Sequence, residues 1–133
     1  MRIFLAIVVV LLASCGDTVS SNYDSLAAAR ADDIFTRGWL PDILPASTRN
    51  IRTDNNLDVN ISTGSFEFSA KDSNLLYRSL AAGAPEASKF ANWKSTKNDY
   101  AARGFTSWSY QSDGSTWVFF CRASEARCDY FMW

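Results

Sequence analysis

The most informative absence in this chain is histidine, which occurs nowhere in its 133 residues. Without histidine there can be no Ser-His or Cys-His nucleophile pair, and the commonest zinc ligand is missing too. An excess of positive charge is also missing, because 13 Lys and Arg residues face 14 Asp and Glu residues. A scattered, balanced charge of this kind excludes the electrostatic footprint of a nucleic-acid-binding domain.

The chain also lacks an apolar run long enough to cross a bilayer. Its longest run, residues 3–12, is about half of the roughly 20 apolar residues that a transmembrane helix needs. Arg2 precedes this run, and the small residues Ala13 and Ser14 close it. A positive start, a short apolar run and a small-residue end are typical of a secretory signal peptide.

Residues 12–15, Leu-Ala-Ser-Cys, resemble the lipobox of bacterial lipoproteins. The resemblance implies that residues 1–14 are a signal peptide and that the Cys15 thiol receives a diacylglyceryl group before cleavage. A further fatty acid, such as palmitate, would then be attached, and several acyl chains hold a soluble domain stably on a bilayer. An ordinary signal peptide that happens to contain a cysteine is the alternative.

The residues after Cys15 indicate where the domain is placed. Lipoproteins retained in an inner membrane carry Asp directly after the lipidated cysteine, whereas Gly16 occupies that position here. For a Gram-negative host the resemblance therefore implies a cell-envelope protein on the outer membrane, facing the periplasm. Residues 15–24 are small and polar, which predicts a flexible tether, and residues 25–133 are predicted to form one domain.

Two helices are predicted in the first part of that domain. The alanine-rich segment 25–37 places apolar residues on one helical face, with Asp24 or Ser25 as N-cap and Gly38 at its end. Asp72 or Ser73 is predicted to begin a second helix that ends near Gly83. Residues 86–103 remain ambiguous between a short helix and a polar loop.

Between these helices the pattern predicts a loop and a strand. Two prolines, Pro41 and Pro45, exclude a helix and predict an extended loop that places Trp39, Leu40, Ile43 and Leu44 in the core. Alternation then predicts a strand from Leu57, after a turn at Asn55-Asn56. The apolar positions change phase after Gly64, which predicts a β-bulge at Thr63-Gly64.

The C-terminal part predicts a three-strand antiparallel meander. Asp113-Gly114 is a strong two-residue hairpin signal, which places Tyr110 opposite Trp117. A second turn within residues 122–127 places Cys121 opposite Cys128. The two registers agree on one aromatic face suited to a core, so we expect an α+β fold, with helices packed on one face of an antiparallel sheet ending in this meander. That face consists of Thr106, Trp108, Tyr110, Trp117, Phe119, Cys121, Cys128, Tyr130 and Met132.

Cys121 and Cys128 are the only cysteines after Cys15. Because they face each other across a hairpin in an exported domain, we expect a disulfide between them. Two buried free thiols are the alternative, and the lack of His and of a Cys-x-x-Cys motif strongly disfavours zinc.

Acidic residues offer little further chemistry. The segment 54–60, Asp-Asn-Asn-Leu-Asp-Val-Asn, spaces oxygen ligands as the start of a calcium loop does, but Val59 and Ser65 stand where an EF-hand needs Gly and Glu. A turn with side-chain-to-backbone hydrogen bonds is therefore favoured over a metal site. Asp32 and Asp33 are neighbours on a predicted helix and point apart, so they make a poor acid-base pair.

One internal segment resembles a recurring motif. Residues 37–41, Arg-Gly-Trp-Leu-Pro, a second proline at Pro45 with Ser47, and residues 57–60, Leu-Asp-Val-Asn, resemble a motif of small, uncharacterised bacterial proteins. The resemblance covers about a quarter of the chain. It implies a recurring domain and brings no activity with it.

These observations predict a membrane-anchored, exported lipoprotein that binds a protein or associates with the envelope, without enzymatic activity or cofactor. The second face of the meander has no obvious covering helix, so Val118, Phe120, Phe131 and Trp133 are predicted to form an exposed partner patch. Two partners are predicted. One is the lipid bilayer, which the acyl chains on Cys15 would enter, and the other is a different protein or a second copy of the chain. A module that binds cell-wall glycan through exposed aromatic rings is the alternative, and an enzyme is the third.

Overall fold

The computed structural model describes residues 16–133, so the predicted signal peptide, residues 1–14, and Cys15 lie outside the described residues. In chain order the elements are β1 (Thr18–Ser25), α1 (Leu26–Ala31), β2 (Arg49–Asn56), β3 (Ile61–Glu67), α2 (Ser73–Tyr77), β4 (Ala81–Ala82), α3 (Trp93–Ala102), β5 (Thr106–Ser112), β6 (Ser115–Arg122) and β7 (Arg127–Met132).

The strands form one seven-stranded antiparallel sheet in the order β1-β2-β3-β7-β6-β5-β4. The N-terminal hairpin β2–β3 joins the C-terminal meander through pairing of β3 with β7, in which Ser62 lies opposite Met132. The α+β class predicted from the sequence is therefore confirmed. None of the helices in residues 16–133 is long and apolar enough to span a membrane.

Both predicted registers of the meander are confirmed. Tyr110 pairs with Trp117 across β5 and β6, and Cys121 pairs with Cys128 across β6 and β7. Asp113 and Gly114 both adopt positive φ, 51° and 79°, as a two-residue hairpin turn of the primed type requires. The local turn chemistry was thus sufficient to fix three strands of the sheet.

The predicted tether is wrong for residues 18–24, which form most of strand β1. This strand pairs with β2 along its whole length, from Thr18 opposite Asn56 to Ser25 opposite Arg49. Its small polar residues suit an edge strand whose side chains are mostly exposed. Of the predicted tether, only Gly16 and Asp17 among the described residues lie outside a strand.

The first helix begins where predicted and ends early. The Ser25 hydroxyl accepts a hydrogen bond from the Ala28 backbone N–H at 3.1 Å, so Ser25 is the N-cap. The helix stops at Ala31, before the predicted end at Arg37, and the next residues form turns with Asp33 at φ 57°. The proline loop then places Trp39, Leu40 and Leu44 in the core as expected, while Ile43 is half-buried.

The strand predicted from Leu57 begins only at Ile61. Residues 57–60 form the turn of the β2–β3 hairpin, in which Leu57 and Val59 are about half exposed (53% and 52%). The predicted bulge at Thr63-Gly64 is also wrong, because Ser62, Gly64 and Phe66 pair regularly with β7 and share one face. The register instead shifts in β2, between Arg49 and Arg52, where Asn50 adopts a φ of 49°.

The second helix follows a 3-10 turn over residues 70–72 and ends at Tyr77, before the predicted end near Gly83. The ambiguous segment 86–103 is a loop followed by a helix, α3, which begins at Trp93. The Trp93 indole N–H donates to the Pro85 carbonyl at 2.9 Å, and the Lys97 ammonium donates to the same oxygen at 3.2 Å. These two bonds hold the helix against the preceding loop.

Both faces of the sheet carry a hydrophobic cluster. The larger cluster lies under α1, α2 and the proline loop and includes Phe66, Phe119 and Tyr130. The smaller one lies on the opposite face and is built from Trp93, Val118 and Phe120 with half-buried aromatic neighbours. Helices therefore cover both faces, whereas the sequence predicted a cover on one face only.

Gly64 is the position where the sheet tolerates no side chain. A Cβ built there would lie 1.9 Å from the Arg52 carbonyl oxygen and 2.7 Å from Cε1 of the Tyr130 ring. We expect Gly64→Ala to lower the free energy of unfolding by about 1–3 kcal/mol, since the neighbours are backbone and a fully buried ring. Urea unfolding measures this loss. Gly16→Ala is the matched control, because nothing lies within 4 Å of its added Cβ, and an equal loss in both variants would contradict the packing argument.

Candidate functional site

The predicted partner patch is buried, which corrects the sequence analysis. Val118 and Phe120 are 0% and 1% exposed, and Phe131 and Trp133 are half-buried. Strand alternation does place all four on the second face, as expected. Helix α3 and its preceding loop cover that face, so these residues form core and not a docking surface.

The cover is made of aromatic rings. The centroid of the Trp93 ring lies 5.5 Å from that of Phe131 and 5.3 Å from that of Trp133, in edge-to-face arrangements. Phe90 adds a further edge-to-face contact with Phe131 at 5.1 Å, and Tyr100 stacks on Phe120 at 4.2 Å. A few large rings therefore bury this face although α3 itself has only one buried residue, Trp93.

The predicted disulfide is confirmed, because Cys121 and Cys128 are bonded to each other. Both residues are buried on the larger cluster's face, at 1% and 0% exposure. The bond joins the two central strands next to their connection. Closing so short a loop stabilises less than a long-range bridge would.

Beyond the reach of α3, the second face continues as a polar groove of about 330 Å³. Two ion pairs lie on it, each within one strand: Arg52 Nε is 3.2 Å from Asp54 Oδ2, and Arg127 Nη2 is 3.3 Å from Asp129 Oδ1. The Ser20 hydroxyl also donates to Asp54. Charged groups that are paired along their own strands are typical of a sheet face that is turned to solvent.

Tyr100 forms the boundary between the groove and the aromatic cover. Its hydroxyl donates to Asp129 Oδ2 at 2.9 Å, and burial together with this carboxylate raises the pKa of Tyr100 to about 12. One face of its ring stacks on Phe120, and the Arg103 guanidinium lies 4.4 Å from the ring centroid. With these neighbours in place, Tyr100 offers no open ring for stacking against a sugar.

The glycan hypothesis depends on exposed aromatic rings. Every Trp, Tyr and Phe side chain within residues 16–133 is buried or half-buried. Trp108, for example, stacks on Tyr77 with ring centroids 4.8 Å apart. The described part of the chain therefore lacks the flat, open platform on which that hypothesis was based.

A polar side chain of the segment 54–60, Asn56, acts in local structure. The Asn56 side-chain oxygen accepts hydrogen bonds from the backbone N–H groups of Asp58 and Val59, at 3.1 and 3.4 Å. This is the turn that the sequence analysis favoured over a calcium loop. Within residues 16–133, no group of three or more His, Cys, Asp or Glu side chains is placed to hold a metal ion.

A feature that the sequence analysis missed is the difference between the two edges of the sheet. One edge is β4, which has only two residues, Ala81–Ala82. The other is β1, which has eight, and among the described residues no strand pairs with its outer side. The sequence gives only a weak signal for strand β1, because Val19 and Tyr23 are the only apolar residues in this polar stretch.

Comparison with known proteins gives one partial match. Residues 17–67 match the model of a family described as the YbbD head domain. The matched segment holds β1, α1, β2 and β3 and includes every residue of the motif that resembles a recurring bacterial domain. No curated protein matches the chain. No solved structure matches it either.

Removal of the two C-terminal rings tests whether the second face is core. We expect the double change Phe131→Ser and Trp133→Ser to destabilise the domain by at least about 3 kcal/mol, because both rings pack against Trp93. Leu75→Ser is the control, since this apolar side chain is 54% exposed and its loss should cost about 0.5 kcal/mol or less. Thermal melts compare the variants, and a double variant as stable as the control would restore the partner-patch hypothesis.

Proposed function

We propose that this chain is an exported protein, lipid-anchored at Cys15, which binds another envelope protein and catalyses no reaction. The signal-peptide layout of residues 1–14 and the Leu-Ala-Ser-Cys sequence support the anchor. A YbbD-type head domain in residues 17–67 suggests a protein of the envelope or the cell exterior. For a Gram-negative host, Gly16 directly after the cysteine supports the periplasmic face of the outer membrane.

The observation that carries the binding function is the long open edge of β1. A strand at the end of a sheet presents unpaired backbone N–H and C=O groups that can accept a further strand. Natural edges are commonly protected by being short, by lysine or proline, or by a bulge. β4 is short, whereas β1 has eight residues, contains neither lysine nor proline and keeps a regular register with β2.

The side chains of β1 indicate what kind of segment the edge accepts. Val19, Ser21 and Tyr23 share the face of the large hydrophobic cluster, since they pair with Asn55, Thr53 and Ile51. Tyr23 packs against this cluster and is only half-buried, so part of its ring is open to an apolar neighbour. The ligand is thus an extended protein segment with apolar residues at alternate positions on that face.

A binding function without catalysis agrees with the chemistry of the described residues. The carboxylates in the polar groove, Asp54 and Asp129, each pair with an arginine of the same strand. A general acid or base needs a reacting proton within hydrogen-bond reach, and these groups are engaged with their neighbours instead. The proposed partner is therefore recognised by backbone pairing, and no cofactor is required.

Lipidation at Cys15 is tested by changing that residue. We expect Cys15→Ser to abolish acyl attachment and the cut before residue 15, because no other thiol lies near the cleavage site. Intact-mass measurement of membrane-extracted protein compares the variant with the wild type. A wild-type species that starts at another residue and carries no acyl mass would overturn the anchor.

Strand addition at β1 is tested with prolines at two neighbouring positions. Backbone N–H groups of an antiparallel strand point alternately towards its partner strand and away from it. Of the two changes Ser20→Pro and Ser21→Pro, one therefore removes a hydrogen bond to β2, and the other removes a donor on the outer side of β1. We expect one variant to keep its melting temperature and lose partner contact, and the other to be destabilised.

The contact is measured by photo-crosslinking in the intact envelope, from a photoreactive residue at Asn22, which lies on β1. The same group at Arg49, on β2, is the control because this exposed residue pairs with Ser25 on one side and with Glu67 on the other. Adducts from Asn22 that persist in both proline variants would contradict strand addition, as would their absence from the wild type.

A further inference from the structure

We propose that the turn of the β2–β3 hairpin, residues 57–60, together with Val19, forms a membrane-facing tip that contacts the surface of the lipid bilayer. The inference rests on the proposed lipid anchor at Cys15 and adds how the domain is oriented on the membrane. It starts from the positions of the exposed aliphatic side chains.

The exposed apolar residues are concentrated at one end of the sheet. The large hydrophobic residues with clear exposure in the described part of the chain are Val19 at 49%, Leu57 at 53%, Val59 at 52% and Leu75 at 54%. The first three lie at the end where β1 begins and where β2 meets β3. Leu75 lies on α2, which follows the opposite end of β3. A local concentration of this kind is typical of a contact surface.

The short length of chain between Cys15 and β1 identifies the lipid bilayer as the surface that the tip contacts. The Leu57 backbone N–H donates to the Asp17 carbonyl at 3.0 Å, so the hairpin turn lies beside Asp17. Cys15 precedes Asp17 by two residues, which span about 7 Å at most. Acyl chains on Cys15 must enter the bilayer within this reach, and the bilayer surface therefore lies against the turn.

The chemistry of the tip suits the interface between headgroups and acyl chains. Aliphatic side chains such as Leu57 and Val59 can enter this boundary without a helix that spans the membrane. Asp17 and Asp58 lie at the same end, and a hydrogen bond to the Asp17 carboxylate, together with the negative charge of that carboxylate, raises the pKa of Asp58. Acidic groups at the contact predict a zwitterionic bilayer surface and disfavour one rich in anionic lipid.

Lipid contact is measured with a fluorescent probe at single positions. Val59→Cys in the full, lipidated protein is labelled with an environment-sensitive dye, because Cys121 and Cys128 are bonded to each other. The protein is reconstituted in vesicles of phosphatidylethanolamine and phosphatidylcholine that contain a lipid carrying a shallow quencher. Leu75→Cys is the matched control, with nearly the same exposure at the other end of the sheet.

We expect the dye at residue 59 to be quenched several-fold more than the dye at residue 75. Equal quenching at both positions would mean that the domain lies on its side and would overturn the tip. Lack of quenching at residue 59 would also overturn it, whether the dye is open to water or covered by protein. Intact mass and vesicle flotation of the same sample report the acyl anchor separately, so loss of the anchor and loss of the tip contact are distinguishable.

Discussion

The structure depends on one constraint, the burial of both faces of the interior strand β6. Five consecutive residues of this strand, 117–121, are buried, although alternate side chains point to opposite sides of the sheet. An antiparallel sheet commonly leaves one face in water. Strand β6 cannot do so, because the apolar residues Val118 and Phe120 lie on the face opposite to the main core. This requirement explains why helix α3 and the loop before it pack on the second face. It also explains why that face is covered beside β6 and is polar beyond the reach of α3.

The same constraint explains why residues 17–67 and the C-terminal meander form one domain, although the family match covers only the former. Ile51 and Phe66 from the matched segment belong to one cluster with Phe119 and Tyr130 from the meander. The Phe66 ring lies 5.9 Å from Phe119, edge to face. Gly64 admits the Tyr130 ring beneath the N-terminal hairpin, so that β3 and β7 approach closely enough to pair. The matched segment therefore buries its apolar face against strands that lie outside the match.

The sequence predicted the features that are set by local chemistry. The Asp113-Gly114 turn predicted the register of β5 with β6, and the turn within residues 122–127 predicted that of β6 with β7 and with it the Cys121–Cys128 bond. Other features depend on distant partners and left only weak local patterns. β1 is held by pairing with β2 while its own residues resemble a polar linker, and α3 covers the second face with one buried side chain, Trp93. The predicted partner patch was wrong for this reason, since the sequence shows which residues point outwards from a strand but not what packs on them.

The proposed anchor, binding edge and tip together restrict the partners that the domain could have. A second copy that paired with β1 antiparallel would place its own residue 17 at the far end of the strand, about 26 Å away at 3.3 Å per residue. Two acylated cysteines at opposite ends cannot both hold upright domains on one bilayer, so pairing of this kind excludes the tip contact. A segment from a different protein carries no such restriction, and it can extend along β1 away from the membrane. The proposed anchor and tip therefore favour a partner strand from a different protein over a second copy of the chain.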